Sequence, residues 1–158
     1  MLLPELWPTG AFDLERGIEH AQGIDGPVVD SLAEVAARTS TWIHGGSFVE
    51  DAGGGEYFNT SVVFNPQGDL VATYRKIHLF DVETPNGERL HESASVSPGS
   101  EVVIAEFGPW RIGLSVCYDL RFPELYRALS ARGADILCVP AAFTAETGRD
   151  HWWALLRA

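Results

Sequence analysis

Apolar and polar positions along this chain fall into two recurring patterns. Over 30–38, Leu32, Val35 and Ala36 recur at helical spacing, with Asp30 or Ser31 placed to cap the helix. Two strand-like runs, 57–64 and 70–74, flank Asn65-Pro66-Gln67-Gly68-Asp69, which predicts a hairpin. Residues 41–49 read as a strand interrupted by Gly45-Gly46, followed by a glycine-rich turn over 51–55. A second hairpin is predicted from 101–106 and 111–116 around Gly108-Pro109. Pro123 opens a helix over 123–132 that Gly133 stops. The continuous apolar run at 135–139 predicts a fully buried strand, and a further helix begins at Asp150. Leu2-Leu3 reads as the tail of a strand ended by Pro4, and the residues from Gly10 onward read as loop. Residues 78–98 are polar and rich in turn formers; a loop of that length inside a domain is usually functional.

Antiparallel hairpins mixed with strand–helix alternation predict a layered α/β domain. The chain opens at the close of a strand and stops inside a helix, so a partial domain is expected. Its 158 residues, 46% hydrophobic and 21% charged, suit one globular domain with a real core. The net charge of -11 argues against nucleic-acid binding and against docking on anionic membranes. No apolar run approaches the roughly 18 residues of a membrane span, and the N-terminus lacks the basic region of a signal peptide. The two cysteines, Cys117 and Cys138, both lie in apolar runs, which suits reduced thiols in a cytoplasm. No Cys/His spacing matches a zinc site, and no metal is expected.

The candidate chemistry starts at Cys117, at the end of the apolar run 112–116 and just before the helix at Pro123. A strand-to-helix corner can present a nucleophile while nearby backbone N–H groups stay free to receive an oxyanion. A buried core thiol is the plain alternative. Two further motifs precede it: Glu5 in Pro4-Glu5-Leu6-Trp7-Pro8-Thr9-Gly10, and Lys76 in Tyr74-Arg75-Lys76-Ile77-His78-Leu79-Phe80-Asp81. Taken singly, each reads equally as a solvated surface charge. Together they supply a base for the thiol proton and a fixed positive charge that favours the thiolate and stabilises the oxyanion. His78 as partner of a Cys–His dyad is disfavoured, because Glu5 and Lys76 already fill both roles.

The ordered set Glu5, Lys76 and Cys117 resembles the nitrilase superfamily of carbon–nitrogen hydrolases, and the likeness runs from Leu2 to the last residue. The resemblance implies an α-β-β-α four-layer sandwich, of which an N-terminal strand and helix and a C-terminal portion are expected to be missing over 1–158, a Glu-Lys-Cys triad that needs no cofactor, and a thioester intermediate. It implies that Glu92 supports Lys76 and that the Tyr118 N–H serves as a second oxyanion donor. Asp119, Arg121 and Glu124 are expected to brace the corner through ion pairs, with Arg121 alternatively meeting a substrate carboxylate. Phe143 and Thr144 are expected to line the substrate pocket. The helix carrying His151-Trp152-Trp153 resembles the one through which these enzymes pair, so the full-length protein is expected to be a homo-oligomer; its aromatics read equally as core. The Lys-Ile-His-Leu-Phe-Asp and Thr-Gly-x-x-His-Trp runs resemble the amidase branch that includes omega-amidase and deaminated glutathione amidase. Cys117-Tyr118-Asp119 departs from the Cys-Trp-Glu of true nitrilases. A small ω-amide is therefore the expected substrate. The competitors are an N-carbamoyl hydrolase or nitrilase with the same triad, a non-catalytic scaffold, and an ammonia-supplying glutaminase domain.

Overall fold

The computed structural model describes residues 1–11, 13–83 and 89–158. Alternation of side chains across β-strands sets the layers. Strands β1 (Ile43–Asp51), β2 (Tyr57–Phe64) and β3 (Leu70–Arg75) form one antiparallel sheet in that order. Val62 on β2 faces helix α2 (Pro27–Thr39), where it joins Val29, Leu32, Ala36, Ile43, Phe48 and Phe64 in one buried cluster. Its neighbour Val63 faces the other way. There it meets Tyr74 together with Ala105, Ile112 and Leu114 of a second sheet.

That second sheet pairs β6 (Ile104–Phe107) antiparallel with β7 (Trp110–Leu114), and β7 parallel with β8 (Ile136–Cys138). A parallel pair needs a crossover, supplied by α3 (Pro123–Ala131). Helix α3 lies on the outer face of β7: a Cβ added at Gly113 would sit 3.1 Å from Leu129, so glycine permits the close approach. The layers therefore run α2, first sheet, second sheet, α3, as the resemblance implies.

Several local expectations shift. Helix α2 starts at Pro27 after Gly26, not at Asp30 or Ser31, because Pro at the first helical position needs no amide partner. A six-residue helix, α1 (Leu14–Glu19), stands where loop is predicted; the Asp13 side chain accepts from the Arg16 N–H and caps it. The stretch 78–98 is not structureless: β4 (Asp81–Glu83) pairs with β5 (Arg89–His91), and a 3₁₀ turn at Glu92–Ala94 follows. Strand β8 is not fully buried. It has one strand neighbour among the described residues, and Ile136 and Leu137 are each 43% exposed. At the chain's end a wide turn, Gly148–Trp152, precedes α4's successor; α4 spans Ala145–Thr147 and α5 spans Trp153–Arg157. Trp153 on α5 is 64% exposed, which removes it from the core.

The Gly45-Gly46 interruption is a register shift between His44 and Ser47, with Gly46 at φ +63°. A Cβ at Gly46 would collide with the Pro4 carbonyl, so this glycine lets the chain before Glu5 lie against β1. His44 beside it is buried, and its Nδ1 accepts from the Gly46 N–H at 3.3 Å. Burial lowers its pKa to about 4. The unfolded chain therefore binds a proton that the folded chain refuses between about pH 6.5 and pH 4. Stability is expected to fall across that window as pH falls, by about 3 kcal/mol in total from this residue. Urea denaturation against pH checks this: the slope should flatten in His44→Gln, and an equal slope in both proteins would refute it.

Candidate active site

Five segments bring the sequence-predicted residues to one cavity of about 460 Å³, lined by Glu5, Lys76, Glu92, Cys117, Tyr118, Arg121, Phe143 and Thr144 among others. Glu5 is held from behind by β1. The Ser47 N–H donates to the Pro4 carbonyl at 3.2 Å, and the Leu6 N–H donates to Ser47 Oγ at 3.0 Å. Leu6 adopts φ +44°, a left-handed turn that reverses the chain directly after Glu5. Lys76 follows β3, where its N–H donates to the Asn59 carbonyl at 2.9 Å and its carbonyl accepts from the Gly99 N–H at 2.8 Å.

The charged centre is dry. Lys76 is 1% exposed, and its Nζ donates to Glu5 Oε1 and to Glu92 Oε2, each at 2.8 Å. Burial opposes the ammonium charge, but Glu5 and Glu92 outweigh it and hold Lys76 above the usual lysine range. Glu92 Oε2 also accepts from the Phe80 N–H at 2.7 Å, so the turn after β5 is tied to the chain after β3. Glu5 Oε2 accepts from the Ala142 N–H at 3.1 Å, which joins it to the chain after β8. An ammonium has three donors. With two engaged by carboxylates, the third remains for a substrate oxygen.

Cys117 stands at the predicted corner, with β7 ending at Leu114 and a 3₁₀ turn spanning Cys117–Arg121. Its φ of +46° is a strained conformation for a side-chain-bearing residue. The surrounding bonds impose it. The Cys117 N–H donates to the Pro140 carbonyl at 2.9 Å, and Val116 and Asp119 bond reciprocally: the Val116 N–H donates to Asp119 Oδ2 at 2.8 Å and the Asp119 N–H to the Val116 carbonyl at 3.1 Å. Asp119, fully buried, also accepts from Tyr74 Oη at 2.7 Å and from the His78 N–H at 3.0 Å, with His78 Nδ1 at 2.7 Å. This assigns His78 to the brace of the corner rather than to a dyad with Cys117. Tyr118 lies in the first turn, ahead of the first intrahelical donor Asp119, so its N–H is placed to receive an oxyanion.

One expectation is corrected here. Of the three residues expected to brace the corner, only Asp119 does so: Arg121 Nη2 meets His151 Nδ1 at 3.0 Å, and Glu124 approaches Arg127 at 3.9 Å on the surface of α3. Lys76 acts on the Cys117 thiol in the expected direction, favouring the thiolate, but it is outweighed. Burial pushes the Cys117 thiol well above its ordinary range, the Glu5 charge adds to the effect, and Lys76 offsets it only in part. The ammonium is already balanced by two carboxylates. Burial and the Glu5 charge thus favour the thiol over the thiolate.

Asn59, on β2, was not anticipated as a site residue. Its Nδ2 donates to Glu5 Oε1 at 3.2 Å and to Glu92 Oε1 at 2.9 Å. The only trace in the sequence is an amide inside a strand otherwise built of apolar and hydroxyl side chains, away from any turn.

Comparison with known proteins agrees with this architecture. The carbon–nitrogen hydrolase family model matches residues 1–158. Deaminated glutathione amidase of Synechocystis sp. is 45% identical over 99% of this chain, and omega-amidase NIT2 of Homo sapiens is 41% identical over 89% of it. The crystal structure of Saccharomyces cerevisiae Nit3, a member of branch 10 of the nitrilase superfamily, superposes over 99% of the chain with a TM-score of 0.84 at 30% identity. The chain spans 58% of the Synechocystis protein, 50% of the human one and 55% of the yeast structure. A buried acid–ammonium–thiol cluster on this layered α/β fold, with a family match along the whole chain, places the protein in the carbon–nitrogen hydrolase family.

Proposed function

We propose that the protein hydrolyses a small amide at a non-peptide carbon–nitrogen bond, giving acid and ammonia through a thioester on Cys117. The observation that carries this reading is the convergence of Glu5, Lys76 and Cys117 on one cavity, with the Lys76–Glu5 pair at 2.8 Å and shielded from water. In the first half-reaction Glu5 takes the Sγ proton as sulfur forms a bond to the amide carbon. The carbonyl electron pair moves to oxygen, which the free Lys76 N–H and the Tyr118 N–H receive. The intermediate then collapses: the C–N bond breaks, Glu5 returns the proton to nitrogen, and ammonia leaves. In the second half-reaction Glu5 takes a proton from water, hydroxide adds to the thioester carbon, and the C–S bond breaks as sulfur regains a proton. Every step uses the chain's own groups.

The cavity volume suits a short substrate. Phe143 and Thr144 border it, and Arg121 reaches its lining, where its guanidinium can meet a substrate carboxylate. The 45% and 41% identities to proteins named as amidases support an ω-amide over a carbamoyl compound or a nitrile. Two free thiols support a reducing, cytoplasmic setting, and among the described residues no helix is long and apolar enough to cross a membrane. Exposed Trp153 and Leu156 on α5 support pairing of two copies through that helix.

The test is ammonia release by the whole protein from panels of short amides, N-carbamoyl compounds and nitriles, with intact-mass spectrometry during turnover. Amide turnover with an acyl adduct on Cys117 is expected. Preferred carbamoyl or nitrile turnover would replace the substrate class. Inertness towards all three panels, with an intact Cys117 thiol that also ignores small electrophiles, would favour a scaffold and overturn the reading.

A further inference from the structure

The buried cluster carries an imbalance of charge. Two carboxylates, Glu5 and Glu92, face one ammonium, and all three groups are at most 6% exposed. Like charges sharing a dry site repel strongly, and a second cation is the usual remedy. Asn59 stands in that place instead. It is 1% exposed, and it spends both amide hydrogens on the cluster, one on Glu5 Oε1 and one on Glu92 Oε1. The amide orientation follows from chemistry: turned the other way, Oδ1 would confront two carboxylates. As oriented, Oδ1 is buried without a hydrogen-bond partner among the described residues. Leaving a buried carbonyl oxygen unpaired is costly, and a residue selected only to fill β2 would not carry that cost.

We infer that Asn59 is a positioning residue that clamps the Glu5 and Glu92 carboxylates apart, at a fixed spacing on either side of Lys76. This rests on the amidase reading above and adds a role to it. The neutral amide lowers the repulsion between the acids without neutralising either one. Glu5 thus keeps its carboxylate, and its Oε2, which accepts from the Ala142 N–H, is left to reach the thiol and the water. A cation at position 59 would hold the acids equally well but would weaken Glu5 as a base. The backbone carbonyl of Asn59 also holds the Lys76 N–H, so one strand residue registers all three charged groups.

The test is a double-mutant cycle in the whole protein, with Asn59→Leu, Glu92→Gln and both together. Leucine keeps the branching of asparagine at a larger volume and removes both donors. Removing the Glu92 charge removes the repulsion that Asn59 relieves. The expected result is that Asn59→Leu lowers kcat about 100-fold in the wild-type background with KM changed less than about threefold, and costs less than about tenfold in the Glu92→Gln background. The acid limb of the pH–rate profile should move to higher pH in Asn59→Leu alone. Should Asn59→Leu fail to fold while the double variant folds, the same coupling is demonstrated by stability. An equal cost in both backgrounds, or failure to fold in both, would overturn the inference and leave Asn59 a strand-packing residue. The wild-type control separates the two readings: if wild-type protein turns over no amide, the amidase reading fails; if it does and the cycle shows no coupling, only the role of Asn59 fails.

Discussion

Cys117→Ala is expected to lower amide turnover by about 10⁴-fold or more while leaving the protein folded. The two halves of that statement have separate physical grounds. The side chain ends in a sulfur that donates to the Ala142 carbonyl at 3.7 Å, long enough to add little to stability. The left-handed backbone at this residue is enforced by the Pro140 carbonyl and the Asp119 side chain, neither of which involves the thiol. Alanine meets the same strain as cysteine there, so the corner should persist. What disappears is the sulfur that the proposed reaction bonds to the acyl carbon and later releases. Cys117→Ser keeps the shape but offers a hydroxyl that Glu5 is too weak a base to activate, so it should resemble Cys117→Ala. Ammonia release with circular dichroism on each variant checks the pair. Turnover within tenfold of wild type in either would show that the sulfur is not the nucleophile.

The corner was legible because its parts are local. An apolar run, a cysteine, a turn and a proline-led helix occupy adjacent positions, and the strand, 3₁₀ turn and α3 follow in that order. The hairpin of β2 and β3 was legible for the same reason, through Asn65 to Asp69. Asn59 was not, because its meaning lies in partners 54 and 33 residues away. The state of the thiol was likewise hidden. Lysine near cysteine suggests a thiolate until the second carboxylate is seen at 2.8 Å on the same ammonium. Helix α1 escaped because six residues carry too few apolar positions to show a period, leaving only the Asp13 cap as a signal. The exposure of β8 escaped because a continuous apolar run looks the same whether one or both strand edges are covered.

Lys76→Met should be the most destabilising single change at the site. Methionine fills nearly the same space but removes the charge, so Glu5 and Glu92 are left facing each other in a dry cavity with only Asn59 and backbone N–H groups as donors. Removing one partner of a buried ion pair costs about 3–5 kcal/mol, and here one removal strands two acids. The pH dependence gives the loss a recognisable sign. In the wild-type protein Lys76 is held above the ordinary lysine range, so its contribution is complete below about pH 10 and constant across the neutral region. In Lys76→Met the stranded carboxylates can be relieved only by taking up a proton. The folded variant then binds more protons than its unfolded chain, and its stability recovers as pH falls. The gap between wild type and variant should therefore narrow towards acid and widen towards pH 8. Denaturation midpoints across that range measure it, and ammonia release should be lost at every pH because the oxyanion donor is gone. A constant gap, or one that widens in acid, would mean that Glu5 and Glu92 do not depend on this ammonium.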